Sequence, residues 1–193
     1  MSFAMAFQLL TNFGGLPLAS PVIVGACPMT MNEHSRRALQ DAGAGAIVLP
    51  SLFEEQVIQW SITIGRPVTD REKAILAQSK RTKHNWACPD AESYLALVNR
   101  SSTLGNLPII ASLNGFTAGG WMDFAGELQE AGAAAIELNV HHGRAANYES
   151  SAVIETTILD AVRELNAASR SAVPLASVTQ VSTIKPLRFS LST

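Results

Sequence analysis

Two stretches decide how this chain is read: "DAGAGAIVLP" at residues 41–50 and "EAGAAAIELN" at residues 130–139. Each carries an acidic residue, then Ala-Gly-Ala, then Ala-Ile at the head of an apolar run. The echo reads as a helix stopped by glycine, with small neighbours that let the chain turn tightly into the next strand. Repeated helix-to-strand joints suit a (β/α)8 barrel of the TIM type, though a doubly wound sheet would carry them too.

The rest of the chain falls into the same alternation. Working outward, "PVIVGAC" (21–27) predicts a strand, and "NEHSRRALQDAG" (32–43) a helix capped by Asn32 and closed at Gly43. "AIVLPS" (46–51) is the second strand, and a long stretch over 52–89 follows. The helix "DAESYLALVNRSSTL", the strand "PIIASLN" (108–114) and a helix from about 120 to 131 come next. "AAIELN" (134–139) is a fourth strand, a helix spans about 148–168, and "VPLASV" (173–178) is a fifth strand. Continuously apolar strands joined by helices belong to a parallel sheet covered on both faces, so the class is α/β.

Five strands do not close an eight-stranded barrel, which typically needs ~250 residues. The expected architecture is therefore a TIM-type barrel truncated after about five βα units, as one unit over 1–178. An aberrant or disordered tail over 179–193 follows, because "TQVSTIKPLRFSLST" has no helical stripe and Pro186 would interrupt one. The alternative is a smaller, complete open sheet with a disordered tail.

Composition bounds the function. The chain has 193 residues, 47% of them hydrophobic and 16% charged, enough for one domain with a real core. A net charge of −2 supplies no electrostatic footprint for nucleic acid or an anionic membrane. Two cysteines, Cys27 and Cys88, are too few for a disulfide framework and lack zinc-site spacing, which suits a reducing compartment. "MSFAMAFQLL" has no cationic leader segment, and no run approaches the ~18 apolar residues of a membrane span. The expectation is a cytoplasmic protein acting on a small molecule, with no metal, no nucleic acid and no membrane partner.

The candidate site comes from polar residues in otherwise apolar strands. Side chains alternate along a strand, so Ser112 and Asn114 share one face of the third predicted strand. Glu137 and Asn139 share one face of the fourth, and Ser51 ends the second. Carboxyl ends of parallel strands are where α/β proteins build their sites. A buried amide without partners is costly, so the row implies either a hydrogen-bonding ligand or an internal network. Asn114 and Asn139 favour the ligand, whereas Ser51 and Ser112 suit backbone hydrogen bonds equally well. Glu137, lying deeper, reads as a structural acid awaiting a cation.

Three further segments are weaker. "ASLNGFTAGGW" (111–121) puts glycines between a strand and a helix, where backbone amides can hold an anion or simply make a turn. Trp121 within it reads as packing. In "NVHHGR" (139–144), His141 and His142 face opposite ways on extended backbone and would not chelate one ion together. Either histidine, or Arg144, can serve as an acid, base or anion contact. "GRPVTDREKAILAQSKRTKH" (65–84) carries six Lys or Arg residues and reads as a solvated excursion rather than a lid.

"GLPLASPVIVGACP", "DAGAGAIVLPSLFEEQ", "IIASLNG" and "AAIELNV" together resemble, in order and spacing, the amino-terminal half of the class 1 dihydroorotate dehydrogenases. The likeness covers about residues 8–178 and is closest to the dihydroorotate dehydrogenase-like branch. It implies an FMN flavoprotein oxidising dihydroorotate to orotate in pyrimidine biosynthesis, with hydride passing to the flavin and a base taking a proton. By resemblance, Gly25 and Ala26 approach the flavin after the first strand, and Ser51 contacts it. Asn139 lies near flavin and substrate, Asn114 borders the same ring, and His142 falls near the catalytic base. Pro50 stands where the family places a lysine, the substrate loop has no counterpart in 52–89, and the fifth strand lacks its lysine. Because barrel phosphate sites are built after strands seven and eight, the expectation is that this chain alone binds FMN poorly or not at all. An open fifth strand also favours association into a homo-oligomer. The second expectation is thus a non-catalytic half-barrel that must associate to bury its edge.

Overall fold

A computed structural model describes residues 9–78, 88–115, 124–140 and 175–179, together with helical backbone at isolated positions between 152 and 163. The chain opens with a short antiparallel hairpin of β1 (Thr11–Phe13) and β2 (Leu16–Leu18). Gly14 and Gly15 turn it, both at positive φ (57° and 98°), the geometry that a tight two-residue hairpin demands of its central pair. Sequence reading passed over this hairpin, although a Gly-Gly pair between apolar runs is a hairpin signal.

The remaining strands form one sheet. They are β3 (Ile23–Val24), β4 (Ala46–Val48), β5 (Leu52–Phe53), β6 (Ile109–Asn114), β7 (Ala135–Val140) and β8 (Leu175–Thr179). All pairings within it are parallel, and the order β3-β4-β6-β7-β8 follows the chain, with β5 also pairing β6. The described strands therefore contain no order reversal of the kind that marks a doubly wound sheet. The expected strands are all present, although the first is shorter than 21–27, and Thr179 belongs to β8 rather than to a tail. Residues 180–193 lie outside the described residues.

Helices lie between the strands. Helix α1 (Glu33–Asp41) starts where the Asn32 side chain accepts the Ser35 N–H at 3.1 Å, and the chain leaves it through Gly43 at φ +93°. Gly132 performs the same turn into β7 at φ +102°, so the two echoing stretches are mechanically equivalent. Within 52–89 the chain forms α2 (Glu54–Thr63) and α3 (Asp70–Gln78), so the excursion expected over 65–84 is in part a largely exposed helix, and 79–84 lie outside the described residues. The start of α3 is a capping box: Thr69 N–H donates to Glu72 Oε2 at 2.6 Å, and Glu72 N–H donates to Thr69 Oγ1 at 3.2 Å. Arg66, though exposed, is tethered. It pairs with Glu127 Oε1 at 2.5 Å and lies over the Trp60 ring at 5.1 Å, and Trp60 in turn meets Phe124 edge-on. Helices α4 (Ala91–Leu104), capped by Asp90, and α5 (Phe124–Glu130) complete the described crossovers.

The sheet is apolar on both faces. Outward residues Ile47, Leu52, Ile109, Ala111, Leu113, Ile136 and Leu138 pack with Tyr94, Leu97, Val98 and Phe124 from the helices. On the other face Ala46, Val48, Ile110 and Ala135 meet Leu18 of the hairpin, with Leu16 and Ile23 at the margin. Fully burying a side chain of this size contributes about 1.5–3 kcal/mol, so the short hairpin is firmly attached. The thiol of Cys88 sits in the outer cluster, where burial, and then the charge of Asp90, pushes it up to about 11. Among the described residues no helix is long and apolar enough to cross a membrane.

Candidate functional site

The polar residues of the inner face gather at the carboxyl ends of β6 and β7. Register places Ser112 opposite Glu137 and Asn114 opposite Asn139, one step beyond the apolar pair Ile110 and Ala135. Ser51 is brought to the same place by a break in its own strand. Val48 pairs with Ile110, but Leu52 pairs with Leu113, so four steps on one side match three on the other. One extra residue within 49–51 forms a bulge, which reverses the alternation of side chains. Val48 is inward, Leu52 is outward, and Ser51 rather than Pro50 meets the inner row.

The result is a hydroxyl chain. Ser112 Oγ donates to Glu137 Oε1 at 2.7 Å, and Ser51 Oγ lies 2.8 Å from Ser112 Oγ. A hydroxyl has one proton, and that of Ser112 is committed to the carboxylate, so Ser51 is the donor in the second bond. The fully buried Ser112 thus links a half-buried serine to a half-buried acid across three strands. Glu137, expected to wait for a cation, is already held by this hydroxyl.

Beside the bulge, Tyr94 reaches the backbone of Ser112. Its hydroxyl accepts from Ser112 N–H at 2.9 Å and donates to Ser112 O at 3.2 Å. Burial pushes the Tyr94 phenol well above its ordinary range, outweighing the opposing effect of its bond to Ser112. The tyrosine ties α4 to β6, and it had not been singled out in the sequence.

Beyond this network the inner face is unsatisfied. Among the described residues Asn139 Oδ1 is buried without a hydrogen-bond partner, while the Asn139 backbone carbonyl accepts from Gly115 N–H at 3.2 Å. An orphaned amide oxygen at the mouth of a parallel sheet is complementary to a ligand N–H or O–H. Asn114, half-buried, stands beside it in register. Gly25 and Ala26 lie exposed just past β3, and a side chain added at Gly25 would meet nothing within 4 Å. The structure therefore brings Ser51, Asn114 and Asn139 to one end of the sheet, with Ser112 and Glu137 beneath them. His141, His142, Arg144, Gly119, Gly120 and Trp121 lie outside the described residues. Among the described residues no group of three or more His, Cys, Asp or Glu is arranged to hold a metal ion.

No protein-family model matches the sequence, and no curated protein matches it significantly.

Proposed function

We propose that this chain is an arc of a (β/α)8 barrel and belongs to an FMN-dependent oxidoreductase of the dihydroorotate dehydrogenase type. The observation that carries the reading is the buried, unpartnered Oδ1 of Asn139, set among Asn114, Ser51 and the Ser112–Glu137 pair at the carboxyl ends of sequential parallel strands. These residues fit a flat, hydrogen-bonding ring. Asn139 Oδ1 accepts from a ring N–H, the Asn114 amide can donate or accept, and Ser51 offers its oxygen while its proton is held by Ser112. Glu137, anchored by Ser112, fixes the row rather than touching the ring. Bound FMN would supply the two-electron chemistry by taking up a hydride, and His142 is the candidate to take the substrate proton.

Riboflavin tests the ring contacts without any contribution from the phosphate. Titrated into the full chain, it should lose fluorescence saturably, and Asn139→Leu should weaken binding by about tenfold, the worth of a hydrogen bond in a buried site. Unchanged affinity in that variant, or no saturable binding of riboflavin, would end the flavin reading, whereas poor binding of FMN is what this chain is expected to show.

A second reading, an associating module without catalysis, is favoured by a different observation. Leu9, Leu10, Phe13, Val22 and Met29 are exposed on and around the hairpin, and β8 pairs with a strand on one side only among the described residues. Sedimentation of the purified chain separates the two. A colourless, concentration-dependent oligomer supports association.

A further inference from the structure

A second polar constellation lies on the opposite face of the sheet, in the cleft between α1 and α4. Ile47, Leu107 and Ile109 make its floor, and Arg36, Arg37, Gln40, Ser101 and Gly105 line this small cleft, which opens to solvent. Arg36 is the anomaly. Only 8% of it is exposed, and its Nη1 donates to Thr30 O at 2.9 Å and to Met31 O at 2.8 Å. A guanidinium has five N–H donors. The other three, on Nε and Nη2, have no protein acceptor among the described residues, and no carboxylate lies within ion-pair distance.

An unneutralised buried cation is expensive. Here burial holds the Arg36 guanidinium below its ordinary value; Glu33 acts in the other direction, and the charge of Arg100 adds to the lowering. The Glu33 carboxylate is bonded to Arg37 Nη2 at 2.6 Å instead of to Arg36. Two guanidiniums thus line the cleft, and its one lining carboxylate, Glu33, is bonded to Arg37 and leaves Arg36 unmatched. Ser101, whose hydroxyl proton is given to Leu97 O at 2.7 Å, and Gly105 complete the lining.

We propose that this cleft binds a small tetrahedral oxyanion, phosphate or the phosphoryl end of a small monoester, with Arg36 as the buried anchor and Arg37 at the rim. Planar guanidinium donors match the paired oxygens of such an ion. The site is independent of the inner-face residues and of the flavin reading, since Ile47 and Ile109 point away from Ser112 and Asn139.

Amide NMR of the full chain, titrated with inorganic phosphate at constant ionic strength, tests it. Saturable shifts are expected at Gly105 and Ser101, and phosphate should raise the melting temperature. Arg36→Met should weaken binding by tenfold or more, about what is lost with a charged hydrogen bond. Because that variant also releases Thr30 and Met31, the exposed Arg37→Glu is the second arm; it should fold normally and lose about tenfold in affinity by reversing the rim charge. Glycerol phosphate titrated in parallel assigns the occupant: tighter binding than phosphate identifies a monoester, weaker binding the free ion. Shifts reproduced by chloride at equal ionic strength, or affinity unaltered in Arg37→Glu, would overturn the proposal.

Discussion

The two ends of the parallel strands follow different rules. At the amino ends the chain repeats itself: Gly43 and Gly132 make the same left-handed exit from a helix, and the inner face is closed by Leu18 over Ala46, Val48, Ile110 and Ala135. At the carboxyl ends nothing repeats. One strand is bulged, hydroxyls are chained to an acid, and an amide oxygen lacks a partner. Repetition marks the end where only packing is demanded. Irregularity marks the end where free energy of folding is given up to hold polar groups in place.

The largest test of this contrast is at the amino ends. Gly45 donates its N–H to Val22 O at 2.7 Å, and a Cβ there would lie 1.9 Å from the backbone oxygen of Ser20. Gly45→Ala should cost about 3 kcal/mol, because backbone has to move; urea unfolding measures it. Tyr94→Phe should come next, at about 2 kcal/mol, by removing the hydroxyl's bonds to the Ser112 N–H and C=O. It also carries a pH signature. Below the ordinary phenol value of about 10 both folded and unfolded chains keep the proton, and the tyrosine contributes fully. As pH rises past that value the unfolded chain releases its proton while the folded chain retains it, so stability falls with alkali. The Phe variant should lose less than the parent over the same window.

A smaller effect separates the twin joints. Both Gly43→Ala and Gly132→Ala force a side chain into the left-handed region, at about 1 kcal/mol. At Gly43 the space is empty, whereas at Gly132 the new Cβ would meet Ser102 Oγ at 2.4 Å and Ser102 Cβ at 2.9 Å. The Gly132 variant should therefore melt lower, and equal melting temperatures would break the comparison. The smallest effect on stability is expected for Ser51→Ala, within about 0.5 kcal/mol because water can replace a half-buried hydroxyl. If the carboxyl ends form a flavin site, that variant should nonetheless weaken riboflavin binding, which fluorescence titration reads directly.

Much of this was readable in the residues. Asn32 and Gly43 bracket α1 because a cap and a stop are local chemistry, and the shared face of Ser112, Asn114, Glu137 and Asn139 follows from alternation alone. The strand boundaries at β3 and the bulge were not readable, since both depend on what lies alongside. Helix α2 hid because its start is Phe53, a residue with no capping oxygen, and because Glu54, Gln56, Val57, Ile58 and Ser61 are all buried, leaving no simple stripe. Helix α3 was legible in principle through Thr69 and Glu72, but its many charges drew attention instead. Tyr94 was invisible because its partner is backbone of another element, 18 residues away, which nothing local announces.

That loss of register has a practical meaning for anyone wishing to redesign the molecule. Removing one residue between Val48 and Leu52 would restore three steps against three and abolish the bulge, while Leu52 would still face the helices opposite Leu113 and Ser51 would still face the inner row. The hydroxyl row is thus indifferent to that deletion, and what the extra residue adds is the displaced stretch 49–51 itself.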